Sequence, residues 1–323
     1  MTELDPVAAT LDAVHRELAP LDEGELAGYI PPLLLADPSR FGLAVCSPEG
    51  RLWSAGDHAE HFSIQSISKV FAFALALADR GLDAVLERVG CEPSGERFNA
   101  ISLEADTGRP DNPMINAGAI VTCSLVAGDS AAGRFGRILS LMSACAGRDL
   151  TVDEGVFAAE LETADMNRAL GYLMRSAGSL TADVDETLWV YLRQCAVLVT
   201  ADDLAVMAAT LACGGVNPVT GVRTMSSDVA RHVLTVMATC GMYDASGEWM
   251  LRVGSPAKSG VAGGVITASP ATFGLGLYSP LLDAQGNSLR SVRACELLAE
   301  RFSWHALAVP GETLPSVQLP RGR

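Results

Sequence analysis

A serine and a lysine three residues apart, Ser66-Ile-Ser-Lys69, open a run of apolar residues, Val-Phe-Ala-Phe-Ala-Leu-Ala-Leu-Ala. On a helix that spacing puts the hydroxyl and the amine on one face. An amine packed among apolar side chains loses hydration, is more easily neutral, and can take the serine's proton. The helix N-terminus adds amide donors and a positive dipole end for a developing oxyanion. The chemistry open to such a pair is acyl transfer through a serine nucleophile. An isolated S-x-x-K is a weak signal, but lysine is rare here: Lys69 and Lys258 are the only two among 23 basic residues. Nucleotide composition can explain much of the arginine bias, with two lysines surviving by chance at the surface. The chemical alternative is that an amine is kept where a guanidinium would fail, because only the amine gives up its proton. Lys258-Ser-Gly260 supports that alternative. Serine acyl-transfer enzymes carry a lysine, a Ser/Thr and a glycine on a strand beside the nucleophile, the glycine admitting substrate backbone. Ser255-Pro-Ala-Lys258 repeats the S-x-x-K spacing, but Pro256 does not suit a helix interior, so that pair is not expected to share a helical face.

The elements that must hold these motifs can be read around them. Pro6 to Leu18 predicts a first helix, and Phe41–Cys46, Ser47-Pro-Glu-Gly50 and Arg51–Ser54 predict a strand, a turn and a strand. The run from Ser66 to Arg80 is apolar on every side and stops before Gly81, so it predicts a helix buried all round. Further helices are expected near 131–146, 154–175, 186–196, 201–213 and 227–241, the fourth opened by Thr200-Ala-Asp-Asp203 as a cap with an acid three residues on. After 245, Met250–Lys258, Gly264–Ser269 and Thr272–Tyr278 predict three short strands, and Leu289–Phe302 a closing helix. The expected fold class is α/β of the α+β type, an antiparallel five-stranded sheet flanked by helices with an inserted all-helical subdomain. The chain reads as a single domain over 1–323: a sheet part from 1–75 with 246–309, a helical part from 76–245, and a flexible tail at 310–323.

With 49% apolar and 19% charged residues the composition is globular. A net charge of −15 repels phosphate backbones and anionic lipid, which disfavours nucleic-acid and membrane-surface roles. No basic start or unbroken apolar stretch opens the chain, and the longest uncharged stretch, 259–282, is interrupted by glycine and proline. Neither a secretory signal nor a spanning helix is expected, which points to the cytoplasm. Eight cysteines without a C-x-x-C pair read as buried reduced thiols, and five histidines, only His58 and His61 close together, offer little to a metal.

Five motifs in order then carry a resemblance: Phe62-Ser-Ile-Gln-Ser-Ile-Ser-Lys-Val-Phe71, Asn112-Pro-Met-Ile-Asn-Ala-Gly-Ala-Ile120, Tyr191-Leu-Arg-Gln-Cys195, Gly241-Met-Tyr243 and Lys258-Ser-Gly-Val-Ala-Gly-Gly264. From Gly28-Tyr-Ile-Pro31 to about residue 305 the chain resembles the serine-dependent glutaminases, which share the β-lactamase and penicillin-binding-protein (transpeptidase-like) fold. The resemblance implies hydrolysis of L-glutamine to L-glutamate and ammonia through an acyl-enzyme, without metal or organic cofactor, in a homodimer or homotetramer. It implies Ser66 as nucleophile and Lys69 as base, with the backbone N–H groups of Ser66 and Val261 as the oxyanion hole. Tyr191 and Tyr243 would stand beside the nucleophile, and Lys258, Ser259 and Gly260 would support it. Asn116, Glu160, Asn167 and Tyr191 would hold the substrate's amino and carboxylate groups, with Tyr29 lining the pocket. These types suit a zwitterion, since a buried carboxylate matches an ammonium and amide or hydroxyl donors match a carboxylate.

Each assignment has a plainer structural alternative. Asn116 could cap or turn the chain, Glu160 and Asn167 could share a solvated helix face, and Tyr191 and Tyr243 could be core tyrosines. The family usually has a serine before the acid and an arginine before the asparagine, where this chain has Ala159 and Met166, with Arg168 following. A related serine amidase or penicillin-recognising hydrolase is the runner-up, disfavoured because Glu160 would repel a β-lactam carboxylate. A non-catalytic amino-acid-binding relative is the third reading. For the base at Lys69, burial and a second ammonium at Lys258 are both expected to lower the pKa.

Overall fold

The computed structural model describes residues 5–95 and 100–308. Alternation in the expected hairpin builds β1 (Gly42–Cys46) and β2 (Leu52–Gly56). Three two- or three-residue strands follow, β3 (Phe62–Ser63), β4 (Leu198–Val199) and β5 (Ala257–Ser259), then β6 (Gly264–Ser269) and β7 (Phe273–Tyr278). The main sheet is five-stranded and antiparallel in the order β2-β1-β7-β6-β5. Its registers pair Gly42 with Tyr278 across β1 and β7, and Lys258 with Ile266 across β5 and β6. β3 and β4 form a separate pair that periodicity cannot reveal in so few residues.

The helices in chain order are α1 (Pro6–Leu18), α2 (Ser68–Arg80), α3 (Leu82–Leu86), α4 (Asn116–Leu125), α5 (Ala131–Ala146) and α6 (Glu154–Glu162). They continue with α7 (Asp165–Ala177), α8 (Val184–Cys195), α9 (Ala201–Ala212), α10 (Ser227–Cys240), α11 (Ser246–Arg252) and α12 (Leu289–Phe302). Alternate residues of the strands face two cores. Leu43, Val45, Leu275 and Leu277 pack with Val7, Leu11, Leu298 and Phe302 of α1 and α12. Ala44, Cys46, Ile266 and Ala268 join the larger helical core on the other face. There α9 lies directly on β7, its start fixed by the Thr200 and Asp203 capping box and by Arg148 paired to Asp203 at 2.6 Å. β7 admits it by placing glycine at two positions of that face: a Cβ on Gly274 or Gly276 would collide with the backbone of α9. The boundary read at 245 assigns α9 to the helical part, whereas it is the layer that covers the sheet.

Three expectations change. The segment read as one helix over 154–175 is two, because Thr163 turns its hydroxyl back to the Ala159 carbonyl at 2.9 Å and Ala164 leaves helical geometry. Met250–Arg252 end α11 instead of starting a strand, because Trp249 buries its ring there and donates Nε1–H to the Ser255 carbonyl at 2.7 Å. The helix read from Ser66 begins as a 3-10 turn over Gln65–Ile67, and Ser68 starts the α-helix. The proposed tail at 310–323 lies outside the described residues.

Substituting Gly276→Ala places a methyl against the Ala201 carbonyl, so it is expected to cost about 2 kcal/mol or more. Chemical unfolding monitored by Trp fluorescence, compared with Gly136→Ala in α5 where no atom crowds the added methyl, measures it.

Candidate active site

Ser66 sits between β3 and α2 on a turn that opens with Gln65 at a φ of +51°, a conformation that costs a non-glycine residue energy unless its surroundings hold it. They do so through three bonds. The Gln65 carbonyl accepts from Ser68 Oγ at 2.7 Å, and its Nε2 donates to Ser63 Oγ at 3.1 Å and to Glu160 Oε1 at 2.6 Å. The Tyr243 hydroxyl donates to the Ser259 carbonyl at 3.2 Å, and its oxygen accepts from the Ser66 hydroxyl. Among the described residues neither the Ser66 nor the Val261 backbone N–H reaches a backbone acceptor. Both residues line a cavity of about 190 Å³ with Tyr29, Gln65, Asn116, Glu160, Asn167 and Tyr191.

β5 brings the second motif against the first. A Cβ on Gly260 would lie 2.8 Å from the Ile64 carbonyl and 3.3 Å from the Gln65 Cβ. This glycine therefore lets the strand approach the Ser66 turn, a nearer reason for its type than the expected approach of substrate. Ser259 turns its hydroxyl away to the Asn287 Oδ1 at 2.5 Å. The repeated spacing at Ser255 is inert: its hydroxyl pairs with Thr267 Oγ1 at 2.7 Å, while Lys258 points to Gly241.

Both lysines are fully buried. Lys69 Nζ donates to Asn116 Oδ1 at 2.7 Å and to the Met114 carbonyl at 3.4 Å, and no described hydrogen bond joins it to Ser66. Burial brings its pKa down to about 8, against the opposing pull of Cys195, Cys123 and the Glu160 carboxylate. Lys258 Nζ donates to the Gly241 and Ser259 carbonyls at 2.9 and 2.8 Å and stands 4.0 Å from the Tyr243 ring centre. Burial, and then the Lys69 ammonium, hold its pKa well below the ordinary lysine value. At Lys69 itself burial is the cause that lowers the pKa, where the sequence also led one to expect a contribution from Lys258.

Asn116 links the parts of the pocket. It begins α4, and its Oδ1 also accepts from Tyr191 Oη at 3.0 Å while its Nδ2 donates to Asn167 Oδ1 at 3.2 Å. The break between α6 and α7 lets Glu160 and Asn167 reach one cavity from two helix axes, and Arg168 spans it by donating to the Leu161 carbonyl at 2.7 Å. Met166 faces solvent at 52% exposure, so the departures at 159 and 166 displace neither neighbour. Burial pushes the Glu160 pKa up to about 7, against the Gln65 hydrogen bond and the Lys69 charge, and among the described residues Glu160 has no ion pair. Burial also raises Tyr191, and raises Tyr243 to about 12, so both phenols stay protonated at neutral pH. Tyr29, 55% exposed, stands at the cavity mouth. Tyr243 instead lines a neighbouring cavity of about 360 Å³ with Met114, Ile115 and Cys240. Gln65 and Cys195 line the first cavity without having been singled out in the sequence. For Gln65 the available signal was an amide inside an otherwise hydroxyl and apolar run; Cys195 offered none. Seven of the eight thiols are buried or half-buried as expected, but Cys91 is exposed.

A serine hydroxyl, a buried amine with a lowered pKa and two backbone N–H groups, grouped around a small polar cavity on this sheet-and-helix frame, are the components of a serine-type acyl-transfer enzyme. A family model described as Glutaminase matches residues 24–307, and the chain belongs to the glutaminase family. It is 51% identical over 308 residues to a glutaminase of Clavibacter michiganensis subsp. michiganensis, covering 95% of this chain and 94% of the relative. A Microcystis aeruginosa glutaminase is 48% identical over 304 residues, covering 94% and 90%. Among solved structures, Mglu in its glutamate form superposes with a TM-score of 0.91 at 48% identity, over 96% of this chain and 72% of that one. A probable glutaminase from Bacillus subtilis complexed with 6-diazo-5-oxo-L-norleucine gives 0.87 at 37% identity, over 95% and 98%. No helix among the described residues is long and apolar enough to cross a membrane, and none of their His, Cys, Asp and Glu side chains cluster as a metal site would require.

Because the Gln65 bond favours the ionised Glu160, Gln65→Leu is expected to move its titration above about 7. Carboxyl carbon NMR of both proteins across pH 4 to 9 reads the shift.

Proposed function

We propose that this protein hydrolyses L-glutamine to L-glutamate and ammonia through an acyl-enzyme on Ser66. The observation that carries the reading is Glu160: a buried carboxylate without an ion pair, in the cavity that holds Ser66, suits the ammonium of a free amino acid. Asn116, Asn167 and Tyr191 supply neutral polar groups for the α-carboxylate, and Tyr29 closes the mouth. The neutral Lys69 amine turns on its flexible stem from the Asn116 carboxamide to Ser66 Oγ, one helical turn away, and takes its proton. Oγ attacks the side-chain carbonyl carbon of glutamine. The Ser66 and Val261 N–H groups receive the oxyanion, and its collapse breaks the C–N bond. Ammonia leaves with the proton relayed from Lys69 through the Tyr243 hydroxyl, which already contacts Ser66. Water, deprotonated by the same amine, then cleaves the ester and restores Ser66. Lys258, Ser259 and Gly260 hold β5 and Tyr243 in place. No metal or organic cofactor enters this sequence of steps. The reading includes one glutaminase domain, a cytoplasmic location, and a homodimer or homotetramer that makes no contact with nucleic acid or membrane. The charge of −15 supports the last of these, and light scattering measures the subunit number.

Release of ammonia and glutamate from millimolar L-glutamine tests the reading directly, with L-asparagine assayed beside it. Ser66→Ala is expected to lower kcat by at least ~10⁴-fold, and Lys69→Ala by about 10³-fold, both without loss of fold.

The pH profile follows from the two shifted groups. Glu160 must be ionised to receive the ammonium and Lys69 neutral to act as base, so kcat/KM should rise through about 7 and again through about 8. Lys258→Met should lower kcat but leave the limb near 8 where it is, since burial is what lowers Lys69. A limb moved by a full unit in that variant would mean that an ammonium at 258 tunes Lys69 after all.

A further inference from the structure

Among the described residues Arg290 is the most confined arginine, only 3% exposed and without an ion pair. It is also the second residue of α12, at the positive end of the helix, where a cation is unfavourable. A buried cation needs compensation, and here it comes from neutral acceptors. Nε donates to the Leu21 carbonyl at 2.6 Å, and Nη1 to the Pro38 carbonyl at 2.8 Å, the Arg40 carbonyl at 3.3 Å and Ser279 Oγ at 3.2 Å. Leu21 and Pro38 are the two ends of the long connection between α1 and β1, whose only regular element is the 3-10 turn Pro31–Leu35. One planar group therefore fastens both ends of a loop that would otherwise carry a large closure entropy.

That loop builds one wall of the site. Ala27 and Ile30 pack with Tyr243, Val261 and Leu282 in a small core of their own, joined by Leu33, and Glu25 pairs with Leu282 through backbone bonds of 3.0 and 2.9 Å. Tyr29 and Ile30 both line the cavity that holds Ser66. We infer that Arg290 is a positioning residue for glutamine binding, acting through the loop 21–40 that it fastens and not through contact with substrate. The inference rests on the glutaminase reading for its kinetic part only.

Arg290→Lys separates the two ends, because an ammonium is a point donor and lacks the planar fork that serves Leu21 and Pro38 together. The expected result is a KM for L-glutamine raised about tenfold with kcat within about threefold, since Ser66, Lys69 and the Val261 amide are carried by other elements. Hydrogen exchange over 21–40 should accelerate at least about tenfold, while β6, β7 and α9 keep their protection. Tyr29→Ala should raise KM in the parent and add little in the Arg290→Lys background, because both act through one wall. A variant that is merely less stable, with unchanged KM and exchange raised evenly over all elements, would overturn the inference, as would full additivity with Tyr29→Ala. Should Arg290→Lys not fold, Ser279→Ala removes one acceptor and should raise KM and loop exchange about threefold; no change in either rejects the idea. Absence of glutamine turnover in the parent would sink the glutaminase reading while leaving the exchange result to judge the clamp.

Discussion

Desolvation of one amine is the condition on which the arrangement of this site depends. A lysine in water keeps its proton at neutral pH and cannot serve as a base. Here Lys69 lies in a helix stretch buried throughout, Ser68 to Ala74, and its only described polar contacts are the Asn116 carboxamide and the Met114 carbonyl. The surrounding architecture follows from the need to keep water from Nζ. α2 must be covered on every side, which requires helices packed around it as well as a sheet beside it, and α4, α5 and α10 supply that cover. The same burial that lowers Lys69 raises Glu160, so one low-polarity interior moves an acid and a base toward each other across neutrality.

The second constraint is close approach of backbones. Gly260 brings the edge of the sheet onto the Ser66 turn, and Gly274 and Gly276 let α9 settle on β7. In both places absence of a side chain fixes a distance. The strain at Gln65 is held between these contacts: the turn cannot relax without breaking bonds to Ser63, Ser68 and Glu160.

Much of this was legible before any coordinates. Two lysines in an arginine-using chain, each inside a motif, drew attention to the segments around Ser66 and Gly260, and short strand-like runs divided by turns in the terminal segments predicted the antiparallel sheet. What stayed hidden has physical reasons. Pairing of β3 with β4 involves too few residues to leave a period. The break at Thr163 depends on a hydroxyl bonding back to its own helix, for which the residue type is permissive but not decisive. How far burial alone lowers Lys69 depends on what packs around it, a three-dimensional property. Arg290 looked like one arginine among many, because a guanidinium bonded to carbonyls leaves no pattern in sequence.

Burial also sorts the thiols. Burial raises the thiols of Cys123 and Cys195, the two that act on the Lys69 amine, well above their ordinary value, Cys195 to about 12, which leaves essentially no thiolate at neutral pH. Cys91 alone among the eight is exposed. It stands two residues before Pro93, on the segment that lines the cavity beside Tyr243. The native chain thus carries a single addressable attachment point: a maleimide dye placed there would report on the approach to Tyr243 without any engineered cysteine and without touching the chemistry of the site.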